Sequence, residues 1–183
     1  MTTDIIPTAY KISRLRLPFT YIMAMLAIVY APSKLFLPAL ALIVLGMLIR
    51  IWAAGHVVKR DKLSEGGPYA YMRNPLYFGS FLGALGAFLL IQNWWLLLVF
   101  VVGFAFFYGN TIRSEENYLI ERYKDQFEEY KRTVPVFIPR IKPATSVKDS
   151  EFAWQGVVRN GEHKALCWSL IAVLGIVVRA YFC

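Results

Sequence analysis

Five apolar runs, separated by short polar and basic clusters, dominate the chain. They cover approximately residues 17–30, 35–58, 76–92, 96–112 and 165–182. Roughly 20 apolar residues in a helix cross the hydrocarbon of a bilayer, and a helix bonds its own backbone groups there. Only 17% of the residues are charged, whereas soluble domains carry about 25%. The sequence therefore predicts an all-α integral membrane protein with about five transmembrane helices.

The basic residues predict the orientation of these helices. The formal net charge is +8, but the bases flank the apolar runs and form no single patch of the kind that binds nucleic acid. Residues 1–16, 59–73 and 113–164 together hold 17 of the 20 Lys and Arg residues, and such an excess marks the cytoplasmic side. We expect a multi-pass protein with its N-terminus inside and its C-terminus outside. No small-residue cleavage site follows the first run, so an uncleaved anchor is expected.

The stretch Gly66–Gly79, which reads GGPYAYMRNPLYFG, separates the second and third runs. Its two glycines and first proline oppose a continuous helix. Pro75 predicts the start of the third span, where its missing N–H costs least. An interfacial loop anchored by tyrosines would explain the three tyrosines and Arg73, but not the interleaved glycines, prolines and Asn74. We predict a structured cytoplasmic turn that forms a cofactor pocket with the helix after span four.

Arg50 lies inside the second run, where a charge is costly and normally faces protein or water. Its helical face is composed mostly of small residues: Ala39, Ile43, Gly46, Ala53, Ala54 and Val57. Gly79, Gly83 and Ala87 recur every four residues in the third run, a pattern typical of closely packed membrane helices. We predict that the Arg50 face packs on another helix; snorkelling to the cytoplasmic boundary is the alternative. His56, at that boundary, is predicted to be structural.

A second polar group follows the fourth run. The pattern predicts a helix over residues 115–132 that Pro135 stops. Glu116 lies at the centre of its apolar stripe, with Arg113 one turn back and Glu115 on the flank. A carboxylate there requires a cation or hydrogen-bond donors. Either Glu116 pairs with Arg113 as a structural element, or it binds a cationic ligand. Glu115 is expected to be an ordinary solvated charge.

The hairpin of spans three and four brings the turn and the carboxylates to one membrane boundary. S-adenosylmethionine suits such a site because carboxylates and aromatic faces stabilise its sulfonium. Its carboxylate would need backbone N–H groups or a base such as Lys59 or Arg73. Cys167 and Cys183 lie about 24 Å apart along a helix, too far for a disulfide. No Cys/His cluster predicts a metal site.

The motifs combine at a spacing that resembles the isoprenylcysteine carboxyl methyltransferase family, part of a wider group with the phospholipid N-methyltransferases. The residues that carry the resemblance are His56–Lys59, Leu63, Gly67–Tyr69, Arg73–Gly79, Glu115–Glu116 and Tyr130–Pro135. It covers approximately residues 46–139 of what we expect to be a single domain over residues 1–183. Residues 1–45 and 140–183, with the extra C-terminal span at 165–182, carry little of it.

The resemblance implies methyl transfer from S-adenosylmethionine to a lipophilic acceptor, either an isoprenylcysteine-like carboxylate or a lipid head group. It implies that seven residues bind the cofactor: Lys59, Leu63, Tyr69, Asn74, Pro75, Leu76 and Tyr77. It places Glu116 and Arg113 at the acceptor, although Arg113 precedes Glu116 by three residues where the eukaryotic pattern has an Arg four before. Asn74 stands where the family usually has His, and Asn does not titrate near neutrality.

Two other functions remain open. Membrane sterol and enone reductases, which use NADPH, resemble the family around the Gly-x-Tyr and Arg-x-Pro-x-Tyr segments. A non-enzymatic membrane protein on the same scaffold is the other alternative. The residues also leave the acceptor open, because a carboxylate needs no general base, whereas an amine must lose a proton, for which Glu116 is the candidate.

Overall fold

The computed structural model describes residues 37–57, 62–144 and 151–163, with single helical positions at 19, 22, 25, 167, 170, 171, 174, 175 and 178. All regular structure in these ranges is helical. The elements are α1 (Leu37–Gly55), a 3-10 turn (Gly67–Ala70), α2 (Pro75–Ile91), α3 (Trp94–Tyr123), α4 (Asp125–Thr133) and α5 (Trp154–Arg159). Apart from those single positions, the predicted first and fifth spans lie outside the described residues, as does Lys59.

Two of these helices are long and apolar enough to cross a membrane. They are α1, with 19 residues, and α3, with 30 residues, while the apolar α2 has 17. The all-helical fold and the membrane character are thus supported in the described ranges. The count of five spans and their orientation remain predictions.

Helices α1 and α2 pack through small residues, as the sequence predicted. A Cβ atom added to Gly46 would lie 2.5 Å from the carbonyl oxygen of Gly79 and 2.6 Å from the backbone nitrogen of Gly83. A Cβ atom added to Gly86 would likewise lie 2.5 Å from the carbonyl oxygen of Ala39. Any larger residue at Gly46 would push the two backbones apart. The close contact brings Arg50 of α1 against the first turns of α2.

Helices α2 and α3 form the predicted hairpin, with two residues between them. The Asn93 side chain caps α3 because its Oδ1 accepts hydrogen bonds from the backbone N–H groups of Trp95 and Leu96, each at 3.1 Å. Trp94 and Trp95 are 76% and 78% exposed, as expected of interfacial aromatic anchors. This turn lies at the opposite end of α2 from Gly67–Ala70.

An aromatic cluster joins α2 to α3. The ring centroids of Phe88 and Phe100 are 4.7 Å apart, and those of Phe104 and Tyr108 are 4.0 Å apart, in stacked arrangements. Phe137, from the chain after α4, packs against Phe81 and Phe104 in the same cluster, with centroids 5.8 and 6.2 Å apart. Such pairs contribute about 0.5–1.5 kcal/mol each beyond their buried area. The chain after α4 is thereby held against the hairpin.

Helix α3 differs from the prediction because it continues without a break from the fourth span into the first half of the predicted 115–132 helix. Asn110 and Thr111 do not interrupt it, since their side chains donate to carbonyls four residues back, at 2.6 and 2.9 Å. The break comes at Lys124, whose φ is +45°. A separate α4 follows and ends before Pro135, as predicted.

The segment 151–163 covers the C-terminal end of α1, where helical carbonyls lack partners within the helix. The backbone N–H of Ala153 donates to the carbonyl oxygen of Gly55 at 2.9 Å. The Asn160 amide and the Arg159 guanidinium donate to the carbonyls of Ala54 and Val57 at 3.4 and 3.1 Å. A segment far along the chain thus completes the end of α1.

Candidate active site

The turn between α1 and α2 is shaped by Gly67 and Pro68. Gly67 has a φ of +58°, and a Cβ atom there would lie 2.3 Å from His56 Cδ2, so only glycine fits. The carbonyl oxygen of Pro68 then accepts from the backbone N–H groups of Tyr71 and Met72 at 3.1 and 3.2 Å. The predicted interruption of the helix is confirmed, since a 3-10 turn at Gly67–Ala70 separates α1 from α2. His56 fills the space above Gly67 and bonds the Trp52 carbonyl through Nδ1 at 2.9 Å, which agrees with a structural role.

The chain after α4 braces this turn through backbone hydrogen bonds. The N–H of Arg73 donates to the carbonyl of Pro135 at 2.9 Å, and the N–H of Arg140 donates to that of Tyr71 at 3.1 Å. The N–H of Ala144 donates to the carbonyl of Ala70 at 3.0 Å. Residues 70–73 are therefore held by a segment more than 60 residues later in the sequence.

Two tyrosines on this turn and on α4 are linked. The Tyr130 hydroxyl donates to the backbone carbonyl of Tyr69 at 2.8 Å. Burial, reinforced by the negative charges of Glu115 and Glu162, raises the pKa of Tyr69 above its usual range, although Arg50 opposes this. Burial is also the main cause that raises the pKa of Tyr130. Both phenols are therefore neutral donors at physiological pH and do not serve as bases.

Glu116 forms an ion pair, and its partner is Arg73 of the turn instead of Arg113. Arg73 Nη2 lies 3.0 Å from Glu116 Oε1, and the two side chains are 7% and 16% exposed. Arg73 Nη1 also donates to the carbonyl of Lys131 at 2.9 Å. The expected structural partner, Arg113, is exposed on α3, and no ion pair of the described ranges includes it. Of the two alternatives, the structural pair with Arg113 is not formed, because the turn presents the buried guanidinium of Arg73 to the inner face of α3.

The Arg73–Glu116 pair is incompletely satisfied. Arg73 Nε and Glu116 Oε1 are buried, and neither has a hydrogen-bond partner among the described residues. The 3.0 Å approach of the charges brings them together without the alignment of a hydrogen bond. Buried polar atoms without partners cost free energy and are rare in folded proteins. One unused donor and one unused acceptor thus lie side by side at the turn.

Glu115 also contacts the turn, contrary to the expectation that it is merely solvated. The Tyr77 hydroxyl donates to Glu115 Oε1 at 2.5 Å. The Tyr77 ring packs edge-on against Tyr108, with centroids 5.4 Å apart. Because α3 is continuous, its consecutive carboxylates reach two different residues of the turn and of α2. Glu115 is nevertheless exposed, so solvent also reaches this carboxylate.

The remaining predicted cofactor residues have distinct surroundings. Asn74 Nδ2 donates to the carbonyl of Val136 at 3.0 Å. Pro75 is buried at the first position of α2, where the sequence placed it. The Leu76 carbonyl accepts from Ser80 Oγ at 2.9 Å. Leu63 packs against the cluster around Phe127 instead of the polar atoms. The structure gathers Tyr69, Asn74–Tyr77, Glu115 and Glu116 about one turn, while their roles remain predictions.

One partner of this site, Glu162, was not predicted from the sequence. Arg50 Nε donates to Glu162 Oε2 at 2.9 Å, and Nη2 donates to Oε1 at 2.7 Å. Glu162 is only 5% exposed. It lies 112 residues after Arg50, in a stretch without helical periodicity that carries little of the family resemblance. The only indication in the sequence was Arg50 itself, a charge inside an apolar run that has to face protein or water.

The chain is similar in sequence to a family model and to several known proteins. A family model described as phospholipid methyltransferase matches residues 26–126. The protein-S-isoprenylcysteine O-methyltransferase of Schizosaccharomyces pombe is 40% identical over 91 residues, which cover 47% of this chain and 39% of that protein. The Saccharomyces cerevisiae protein of the same name is 38% identical over 112 residues, or 55% of this chain and 47% of that protein. The resemblance inferred from the motifs is confirmed.

A bacterial relative is named differently. The nickel-cobalt-cadmium resistance protein NccN of Alcaligenes xylosoxydans xylosoxydans is 34% identical over 94 residues, which cover 50% of this chain and 44% of that protein. The chain thus spans less than half the length of each of these three relatives. No solved structure matches it significantly.

Proposed function

Because the chain belongs to the phospholipid methyltransferase family, we propose that it transfers a methyl group from S-adenosylmethionine to a lipophilic acceptor at the membrane boundary. The relatives named as isoprenylcysteine O-methyltransferases support this activity. The apolar helices α1 and α3 support a location in the membrane. The cluster of basic residues around the turn favours a cytoplasmic site.

The observation that carries the proposal is the incompletely bonded Arg73–Glu116 pair. Glu116 Oε1 and Arg73 Nε are buried and make no hydrogen bond to the described residues, although Oε1 lies 3.0 Å from Arg73 Nη2. The amino-acid part of S-adenosylmethionine offers an ammonium and a carboxylate, which are the complementary groups. The sulfonium is a third charge, which the Glu115 carboxylate and the Tyr77 ring can stabilise. The residues present therefore fit this cofactor.

The protein's contribution to catalysis is mainly binding and orientation. When bound, S-adenosylmethionine supplies a methyl group on a positively charged sulfur, which an oxygen or nitrogen nucleophile can attack. Arg73 and Glu116 would hold the amino-acid end of the cofactor. Tyr77 and Glu115 would hold its sulfonium on the side that faces α3. Held geometry of this kind accounts for much of the acceleration of such transfers. Asn74, bonded to the carbonyl of Val136, would hold the neighbouring chain and carry no proton.

The acceptor that these residues favour is a carboxylate. Arg113 is exposed at the end of the apolar part of α3, and a guanidinium can hold a carboxylate through two parallel hydrogen bonds. A carboxylate acceptor needs no general base, whereas an amine must lose a proton. The Glu116 carboxylate is already engaged in an ion pair with Arg73, so it is not free to accept the proton of an amine. We therefore place an isoprenylcysteine-like acceptor ahead of an amine head group.

Calorimetric titration of the detergent-purified chain tests the cofactor. We expect S-adenosylmethionine to bind and NADPH not to bind. Binding of NADPH alone would establish a reductase, and binding of neither would favour a non-enzymatic protein. Transfer of labelled methyl groups, first to a synthetic farnesylated cysteine and then to phospholipid vesicles, tests the acceptor. Labelling of the vesicles alone would contradict a carboxylate acceptor.

A further inference from the structure

The C-terminal segment contributes a buried carboxylate to the candidate site. Glu162 binds Arg50 through both of its oxygens, at 2.7 and 2.9 Å. The Glu162 side chain is 7% exposed and that of Arg50 is 27% exposed. Two-point pairing of a guanidinium with a carboxylate fixes orientation as well as distance. The pair therefore links α1 rigidly to the chain just after α5.

The rest of the Arg50 guanidinium binds the first turns of α2. Arg50 Nη1 donates to Ser80 Oγ and, at 3.4 Å, to the carbonyl of Leu76. Leu76 adjoins Tyr77, whose hydroxyl bonds Glu115. All three guanidinium nitrogens are thus bonded, unlike those of Arg73. One side chain joins α1, the start of α2 and the C-terminal segment.

We propose that Glu162 is a positioning residue: acting through Arg50, it holds the first turn of α2 in the geometry that binds the cofactor. The inference rests on the proposed function, since it concerns the same site. The proposal extends the site to a segment that lies beyond residues 26–126, the part of the chain matched by the family model. Residues 151–163 then act as a strap whose charged end sets the position of Leu76 and Tyr77.

The charge of Glu162, and not only its packing, is required. Replacing one partner of a buried ion pair leaves the other charge uncompensated, which costs more than losing the contact itself. Without the Glu162 carboxylate, Arg50 must find water or another acceptor, and its bonds to Leu76 and Ser80 would shift. The electrostatic influence of Glu162 on Tyr69 agrees with its closeness to the turn.

The test compares Glu162→Gln with Glu151→Gln in the full-length chain. Glu151 lies in the same segment but is exposed, so it serves as a matched control. For Glu162→Gln we expect the Kd and KM for S-adenosylmethionine to rise by about ten- to hundredfold, the range that misplacement of a binding group produces. The kcat should change less than KM, because Glu115, Glu116 and Arg113 remain in place. Glu151→Gln should match the wild type.

A purely structural role would give a different result. It would lower the melting temperature and the amount of active protein, hence kcat, and would leave Kd and KM for S-adenosylmethionine unchanged. Glu162→Asp, which keeps the charge on a shorter side chain, should recover much of the lost affinity. An unchanged Kd in Glu162→Gln, or a Glu162→Asp variant no better than Glu162→Gln, would overturn the proposal.

A second measurement does not depend on the cofactor. Trypsin cleaves after Arg159 only when α5 opens locally, so the cleavage rate reports how firmly the segment is attached. We expect faster cleavage in Glu162→Gln and in Arg50→Lys, and an unchanged rate in Glu151→Gln. If the wild type does not bind S-adenosylmethionine, the proposed function fails, yet this assay still reports on the strap. An unchanged cleavage rate in Glu162→Gln would then overturn it.

Discussion

Two buried Arg–Glu pairs flank the same turn, and they differ in how completely they are bonded. In the Arg50–Glu162 pair every guanidinium nitrogen has a partner. In the Arg73–Glu116 pair, Arg73 Nε and Glu116 Oε1 make no hydrogen bond to any described residue, although Arg73 Nη2 lies 3.0 Å from Glu116 Oε1. A satisfied pair stabilises the arrangement of segments, whereas an unsatisfied pair beside a structured turn is suited to a ligand. We therefore propose that the first pair supports the site and that the second pair belongs to it.

The largest effect is expected for Glu116→Gln. We predict a loss of methyl transfer of about 100-fold or more, the scale seen when one preorganised charged or polar group is removed from an active site. The melting temperature should fall only modestly, and less than in Glu162→Gln, because Glu116 is the more exposed carboxylate and Arg73 keeps its hydrogen bond to the carbonyl of Lys131. Methyl transfer from labelled S-adenosylmethionine, with melting curves on the same samples, measures both.

Glu121→Gln is the matched control for this change, because Glu121 is an exposed carboxylate on the same helix. A Glu116→Gln protein with full turnover, or one that melts far below the wild type, would show that this pair is structural like the other.

The second prediction compares the two arginines by stability. Arg50→Ala removes partners from Glu162, Ser80 and Leu76 together, so we expect the free energy of unfolding to fall by about 3–5 kcal/mol, the usual range for breaking a buried pair. Arg73→Ala should cost less, since Arg73 makes fewer hydrogen bonds and Glu116 is more exposed than Glu162. Thermal unfolding in one detergent ranks the two. The reverse order would contradict our distinction between supporting and ligand-binding pairs.

The third prediction concerns Tyr77, which lies between the two pairs. Tyr77→Phe keeps the ring against Tyr108 but removes the hydrogen bond to Glu115, which contributes about 1.5–3 kcal/mol because the acceptor is charged. Since Glu115 is exposed and remains hydrated, we expect the low end of that range as weaker cofactor binding, roughly tenfold in Kd. Calorimetric titration measures it. Tyr118→Phe, which removes an exposed hydroxyl bonded to Arg122, should leave Kd unchanged; an equal effect would argue against a site at Tyr77.

The structure also shows what could be read from the sequence. Periodicity identified the face that α1 shares with α2, because small residues at fixed spacing have one physical use in a membrane helix. It also oriented Glu116 inward, and Leu119 and Ile120 on the same stripe do pack on the cluster around Phe127. These inferences needed only neighbours within a single helix.

Contacts between distant segments were not predictable in the same way. Arg73 and Glu116 were both considered, but no local pattern says which arginine a carboxylate will meet once α3 and the turn are packed. The break at Lys124, inside the predicted 115–132 helix, was missed because nothing in the local pattern marks the positive φ of that residue. The pairing of Glu162 with Arg50 depends on how residues 151–163 pack on α1, and composition does not predict that packing.

The smallest effect is expected for Tyr130→Phe, which tests whether the Tyr130 hydroxyl stabilises the fold or takes part in the reaction. This hydroxyl donates a hydrogen bond to the carbonyl of Tyr69 in the turn. Because folding raises the pKa of Tyr130 above the 10.0 of a free tyrosine, the unfolded chain loses this proton first. The associated stability is therefore complete below pH of about 10 and declines as the pH rises beyond it.

Tyr130→Phe should cost about 1 kcal/mol at neutral pH through the lost hydrogen bond, and its unfolding free energy should fall less steeply above pH of about 10 than that of the wild type. Denaturant titrations across that range measure both slopes, with Tyr118→Phe as an exposed control. If Tyr130→Phe instead abolished methyl transfer while leaving stability intact, the hydroxyl would act on the substrate, and the division between supporting contacts and ligand-binding groups would have to be redrawn.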